Sequence, residues 1–228
     1  MTSTEKNQLA FGIKRAMPIV MGYIPVGFAL GVLASGNGLS PFETGAMSIL
    51  VYAGSAQFIA VNMLGAGISP LPIIITTLLV NLRHILFSAS LSPYFREVNK
   101  KLIPLISFYI TDESFAVSIT DVKEKSLTQT YFLGLYITSY LSWVLSTILG
   151  SAFGSLIPDT KALGFDFALP GMFLALLCMQ LKDMKTILVA LAAGALSMFF
   201  FFTVPGNWNV ILATIAAASL GVFLERWN

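Results

Sequence analysis

A single cysteine, Cys178, and a single histidine, His84, in a chain of 228 residues leave no material for a disulfide framework, a Cys-rich redox site or a metal centre built on paired ligands. Charge is also scarce. Only 11% of the residues are charged, against about 25% in an ordinary soluble domain, so no water-facing surface of normal composition can be assembled. The 13 lysines and arginines are scattered at the ends of apolar runs, and the formal net charge of +2 gathers into no patch or stripe that would suit nucleic acid. No polar stretch is long enough for a soluble domain, and no motif calls for a cofactor. Residues 1–228 therefore read as one integral membrane domain.

What remains is apolar length. Hydrophobic residues make up 56% of the chain, in runs of about 17–25 residues, the length that crosses a bilayer core as helix. The expected spans are Met17 to Ala34, Gly45 to Ala66, Leu71 to Tyr94, Leu102 to Thr120, Thr130 to Leu156, Phe167 to Leu181, Thr186 to Val204 and Val210 to Leu224. Merging or re-entrance lowers the number of crossings, because irregular backbone is tolerated at depth where protein surrounds it. The fold class is thus an all-α polytopic transmembrane bundle of about seven to eight helices. The run from Met17 to Ala34 exceeds a cleaved signal segment and is followed by equally apolar runs, so it stays as the first span.

With every span crossing, Lys6, Lys14, Arg15, Lys123, Lys125, Lys182, Lys185 and Arg226 share one side, and Arg96, Lys100, Lys101 and Lys161 the other. That imbalance places the N-terminus in the cytoplasm by the positive-inside rule. The cluster after Tyr94 is the exception, and it changes sides if one early span does not cross. A weak echo at half the chain length, Gly27 and Gly31 followed by Ala53 to Ala60 against Gly150 and Gly154 followed by Leu169 to Ala175, suggests duplicated halves, 16–120 and 130–226.

Charged groups at mid-membrane cost about 2.5–3.5 kcal/mol each on insertion scales, so they call for partners or a function. Arg83 and His84 fall near the middle of the third span, and Asp112 and Glu113 near the middle of the fourth, at similar depth. Arg83 can pair with either acid, which leaves one carboxylate over. Asn81, His84 and Ser88 share a helical face, bringing His84 toward the leftover acid, a pairing that suits proton coupling. The plainer reading is an ion pair that locks two helices, with Thr111 capping a helix that begins inside the membrane.

Helix breakers form the second set. Pro25, Gly54 and Pro170-Gly171 interrupt apolar runs, and a broken helix exposes N–H donors for a carboxylate and carbonyls for an ammonium. Gly54, Ser55, Gln57, Pro170 and Gly171 are accordingly candidates for the polar part of a central site, against the plainer reading that such residues permit close packing. Packing is the default for Gly27 with Gly31 and Gly150 with Gly154, whose spacing is small-xxx-small. Trp143, in mid-span, requires an internal acceptor for its N–H. Trp208 and Trp227 suit an interfacial belt.

These residues carry a family resemblance. Pro25-Val26-Gly27-Phe28-Ala29-Leu30-Gly31, Ala53-Gly54-Ser55-Ala56-Gln57-Phe58, Asn81-Leu82-Arg83-His84, Thr111-Asp112-Glu113-Ser114-Phe115 and Asp166-Phe167-Ala168-Leu169-Pro170 stand in an order that resembles the AzlC-type branched-chain amino-acid exporters. The likeness covers nearly the whole chain. It implies export of valine, leucine, isoleucine and sometimes methionine across the bacterial cytoplasmic (inner) membrane, with a small hydrophobic AzlD-type partner subunit. It does not supply site residues.

A zwitterionic substrate fits the physical inventory. Asp112 or Glu113 can hold the ammonium, Arg83 or the break at Gly54 the carboxylate, with Asn81 nearby, and Phe58, Met172 and Phe173 the branched chain. Alternating access driven by the proton gradient, through His84, Asp112 or Glu113, is the expected mechanism. A structural or channel-like subunit is the rival, although a channel would carry polar residues at all depths. An intramembrane hydrolase built on Ser55 and His84 lacks an oxyanion hole, so the protein is not expected to be an enzyme.

Overall fold

Among the described residues, which in the computed structural model are 3–96, 98–124, 127–154, 156–157, 183–204 and 208–226 with positions 164, 167, 170–171, 173–174, 177–178 and 181, the chain is helical without strands. It divides into two compact units, residues 1–171 and 172–228. In the first, α1 (Ser3–Gly36) is followed by α2 (Pro41–Leu50), α3 (Gly54–Gly65), α4 (Pro70–Asn81), α5 (Arg83–Leu91), a 3-10 turn (Ser92–Phe95), α6 (Ile103–Phe108), α7 (Asp112–Glu124) and α8 (Gln129–Gly154). The second holds α9 (Met184–Thr203) and α10 (Trp208–Arg226).

Local chemistry sets several starts. Ser40 and Glu43 form a reciprocal capping box ahead of Pro41, and Asp183 with Thr186 does the same for α9. The Thr186 backbone N–H holds the Asp183 carboxyl below the ordinary range. A proline opens α4, with Pro70 in its first turn and no side-chain cap at Ser69.

The axis of the first unit is the α1–α8 pair. A Cβ on Gly31 would overlap Thr147 O and Ser151 N, and one on Gly150 would overlap Phe28 O, so the two backbones touch without intervening side chains. The pair is parallel. Gly12 lies against Tyr131 and Leu135 at one end, here the lower, and Gly154 against Val32 and Ser35 at the other, the upper. Because both helices rise the same way, the chain between them must descend once more than it rises.

One descent suffices. Thr44 of α2 meets Ser151 at the upper end, Tyr52 at its exit meets Tyr140 half-way down α8, and Gly65 at the end of α3 is back beside Asn37 at the top. The α2–α3 segment is thus a hairpin that enters from above and turns at mid-height. The descent follows, through α4 and α5 to Phe95, which packs on Phe132 near the foot of α8. A second hairpin enters from below. Asn99 N–H donates to the Gln129 side chain at the foot, Tyr109 meets Tyr140 at mid-height, and α7 returns downward, Glu113 beside Tyr23 and Asp121 beside Arg15.

The expected second and fourth spans are therefore not straight crossings, since each folds back at its middle. Tyr52, whose φ is 41°, makes the first turn, and Tyr109 to Thr111 make the second. The basic cluster changes position as a consequence. Arg96, Lys100 and Lys101 follow Phe95 at the lower end, the end of Lys14 and Arg15, rather than opposite them. Stretches long and apolar enough to cross a membrane are Glu5–Gly36, Pro70–Phe95, Gln129–Gly154 and Met184–Thr203. The chain is a helical membrane bundle, and large side chains such as Ile74, Leu78 and Leu145 remain exposed for lipid. The expected sixth span, Phe167 to Leu181, lies mostly outside the described residues.

In the second unit α9 and α10 are antiparallel. Lys185 Nζ donates to Leu224 O, and Gly221 lies against Val189.

The close approach is testable. Gly150→Val, which drives a side chain into Phe28 backbone, should destabilise the detergent-solubilised protein by about 1–3 kcal/mol or more. Gly22→Ala, at a position where a Cβ meets nothing within 4 Å, should leave the thermal midpoint unchanged or raise it, by at most about 1 kcal/mol of helix propensity.

Candidate functional site

Three half-length helices begin at mid-height, and their first residues meet. Asp112, first in α7, is ion-paired with Arg83, first in α5, at 3.0 Å. The Arg83 Nη2 also donates to Ser55 Oγ, in the second position of α3. Each start is a helix N-terminus with the positive end of the dipole, so the three together form an electropositive centre in which Asp112 and Glu113 are favourably placed. The C-termini of α2, α4 and α6 end at the same height and offer carbonyls. Arg83 and Asp112 side chains keep 25% and 23% of their exposure, so the pair is only partly covered by the protein.

The start of α7 is built by Thr111 and Ser114. Ser114 N–H donates to Thr111 Oγ1 at 3.3 Å and Thr111 N–H to Ser114 Oγ at 2.8 Å, a reciprocal cap inside the bundle. The second acid goes elsewhere. Tyr23 Oη donates to Glu113 at 2.7 Å and, its proton being spent, accepts from Thr111 Oγ1 at 2.7 Å. His84 does not reach that carboxylate. Its Nδ1 sits 3.0 Å from Asn81 O and its ring is edge-on to Phe87, because Leu82 breaks the α4–α5 ladder and turns Asn81 O toward the imidazole. Phe87 in turn stacks on Phe115, centroids 4.6 Å apart, tying α5 to α7.

Gly54 has a packing role in this geometry, since a Cβ there would come 3.0 Å from Trp143 Cη2. The indole N–H finds its acceptor in Gln57 Oε1 at 2.9 Å, while Gln57 Nε2 donates to Ser48 Oγ at 2.9 Å and Thr147 Oγ1 to the same serine at 2.8 Å. Gln57 is thus used at both ends as a strut between α2, α3 and α8. Phe58 is 1% exposed within the core. Two buried oxygens near the breaks are unspent: Asn81 Oδ1 and Tyr52 Oη have no hydrogen-bond partner among the described residues. Ser55 and His84 have separate partners, and no bond joins them as a dyad.

Pro170 and Gly171 lie in a short helical stretch where a Cβ on Gly171 would make ordinary contact with the Phe167 ring at 3.5 Å. Phe173 belongs to the second unit and is 37% exposed. Met172, Asp166, Leu169 and Trp227 lie outside the described residues.

The sequence reading missed a second polar cluster. Arg15 forks onto Asp121 through Nε and Nη2 at 2.7 and 2.6 Å, and Tyr131 Oη donates to the same carboxylate. It also missed Tyr23. The available signal was spacing, because Tyr23 and Arg15 are eight apart on α1 and meet Glu113 and Asp121, eight apart on an antiparallel α7.

Breaking the central pair should cost more than removing it. Arg83→Gln or Asp112→Asn alone should destabilise by about 1–3 kcal/mol, less than for a fully buried pair, because a charge is left uncompensated. The double variant should lose less than the sum, a coupling readable from a double-mutant cycle of thermal midpoints in detergent.

Comparison with known proteins identifies the family. The family model described as AzlC protein matches residues 18–157. The chain is 32% identical over 224 residues to the inner membrane protein YgaZ of Escherichia coli, covering 95% of this chain and 90% of that one. It is 32% identical over 219 residues to an uncharacterized membrane protein of Archaeoglobus fulgidus, with 95% and 94% covered. It is 30% identical over 212 residues to the branched-chain amino acid transport protein AzlC of Bacillus subtilis, with 92% and 82% covered. No solved structure matches. With a family model over more than half its length and relatives aligned nearly end to end, the chain belongs to the AzlC family.

Proposed function

We propose that this protein exports branched-chain amino acids, valine, leucine, isoleucine and also methionine, by alternating access around the Arg83–Asp112 centre. The observation that carries the proposal is the meeting of three half-helix starts at one ion pair, with hairpins entering from opposite ends. A zwitterion needs complementary charges. Its carboxylate takes Arg83 and the N–H groups at the helix starts, and its ammonium takes Asp112 or Glu113 with the carbonyls that end α2, α4 and α6. Substrate entry then competes with the Arg83–Asp112 pair, so binding and loosening of α5 from α7 are one event. The relative named as a branched-chain amino acid transport protein supports the cargo.

The orientation in the membrane rests on charge. Lys6, Lys14, Arg15, Arg96, Lys100, Lys101 and Lys123 all stand at the lower end of the first unit, and no lysine or arginine occurs between Arg15 and Arg83. By the positive-inside rule that end faces the cytoplasm, with the N-terminus. Glu113, joined to Thr111 through Tyr23, is the acid left for the coupling proton. A small AzlD-type subunit is the partner, and α9, none of whose described residues is buried, has apolar surface to offer it or lipid.

Reconstituted in vesicles, the protein should release labelled leucine faster when an inward proton gradient is imposed. Asp112→Asn should slow release at least roughly tenfold, or about 1.4 kcal/mol, and Glu113→Gln should leave release that no longer follows the gradient. Wild-type rates and unchanged pH dependence in the double neutral variant would sink the mechanism.

A further inference from the structure

Below the central pair, α5, the 3-10 turn and α6 border a half-open pocket of about 340 Å³, lined by Ser88, Ser92, Ser107, Arg96 and Lys100 on its polar side and by Phe95, Val98 and Ile103 on its apolar side. Lys100 of its lining follows Asn99, which meets Gln129 at the lower end. Its inner reach is Ser107, two residues before the hairpin tip at Tyr109, and Ser88, five residues or ~7.5 Å of helix below Arg83. Above it the way is closed by the packed rings of Tyr52, Tyr109 and Tyr140 and by the ion pair itself.

The serines are the informative part. A hydroxyl on a membrane helix can bond back to a carbonyl one turn earlier, as Thr77, Ser139, Ser142 and Ser219 do here. The hydroxyls of Ser88, Ser92 and Ser107 make no such bond and no other bond to the described residues, although they come from separate elements and line one space. They are left available to something in the cavity. Two cations at the mouth, three open hydroxyls and an apolar wall are complementary to a small molecule with a carboxylate, an ammonium and a short apolar side chain.

We propose that this cavity is a second, peripheral substrate site, a cytoplasmic vestibule in which Arg96 and Lys100 capture the carboxylate of a free aliphatic amino acid before it reaches Arg83. The assignment rests on the transport reading above and adds to it a station distinct from the central pair. Ser88 and Ser107 then take the ammonium as the substrate moves inward, and Phe95, Val98 and Ile103 face its side chain. Opening of the tyrosine layer at the hairpin tips follows capture rather than preceding it.

Cysteine labelling tests this directly. In a Cys178→Ser background, Ser107→Cys and Ser88→Cys are placed singly and exposed to a membrane-impermeant maleimide in inside-out and right-side-out vesicles. Reaction should occur from the cytoplasmic face only, and saturating leucine should slow it severalfold. Reaction from the opposite face, or no slowing by leucine in a variant that still exports it, overturns the vestibule. Arg96→Ala with Lys100→Ala should raise the KM for internal leucine roughly tenfold at low ionic strength, an effect that shrinks with added salt, while kcat holds. An unchanged KM, or one insensitive to salt, overturns the capture role. Absence of leucine export by the unmodified protein would overturn the transport reading itself, whereas export without protection at Ser107 removes the vestibule alone.

Discussion

The backbone contact between α1 and α8 is what the rest of the first unit hangs on. Helices that stop in the middle of a bilayer leave carbonyls and N–H groups with no water to satisfy them, and this chain breaks at Tyr52, Leu82 and Ile110. Such breaks persist only where protein replaces the solvent. Gly31 and Gly150 let two full-length helices merge into one wide wall, and Trp143, Thr147 and Tyr140 on that wall receive the α2–α3 hairpin through Gln57, Ser48 and Ile49 O. Tyr23 and Tyr136 receive α7 through Glu113 and Ser118. Without the close approach, the wall would part and the half-helices would face lipid.

The hairpins enter in opposite senses, and this gives the centre its character. A crossing followed by a hairpin occurs once from above, as α1 with α2–α3, and once from below, as α4–α5 with α6–α7. Their tips touch through Tyr52 and Tyr109, whose ring centroids are 6.3 Å apart. Tyr52 is held at a left-handed φ that costs a non-glycine residue about 1–2 kcal/mol, and burial of its ring against Tyr140 offsets that cost. The two tips and Tyr140 thus form one layer of packed rings at mid-height.

Charge is distributed by the same logic. Arg83 with Asp112 stands at mid-height and remains partly exposed, whereas Arg15 with Asp121 and Tyr131 fastens α1, α7 and α8 together at the lower end. The first pair sits among helix ends that can serve a ligand. The second has both carboxylate oxygens occupied by protein donors, so it pins the foot of the hairpin.

Composition alone determined that the chain is a membrane helix bundle, because so little charge cannot coat a soluble core and so many apolar runs must meet lipid or one another. The depth of Arg83, Asp112 and Glu113 was legible too, since a charge in an apolar run is conspicuous whatever the fold. Which acid pairs with Arg83 was not legible, because adjacent residues on a helix point about 100° apart and only the placement of α5 beside α7 selects Asp112. His84 was assigned to the leftover carboxylate on face periodicity, but the break at Leu82 rotated it toward Asn81 O, and periodicity does not survive a break. The half-depth hairpins were beyond hydropathy altogether. The largely apolar run of 22 residues from Gly45 to Ala66 has the length of a crossing whether straight or folded in two, and only the contacts of both ends with the top of α1 and α8 decide between them.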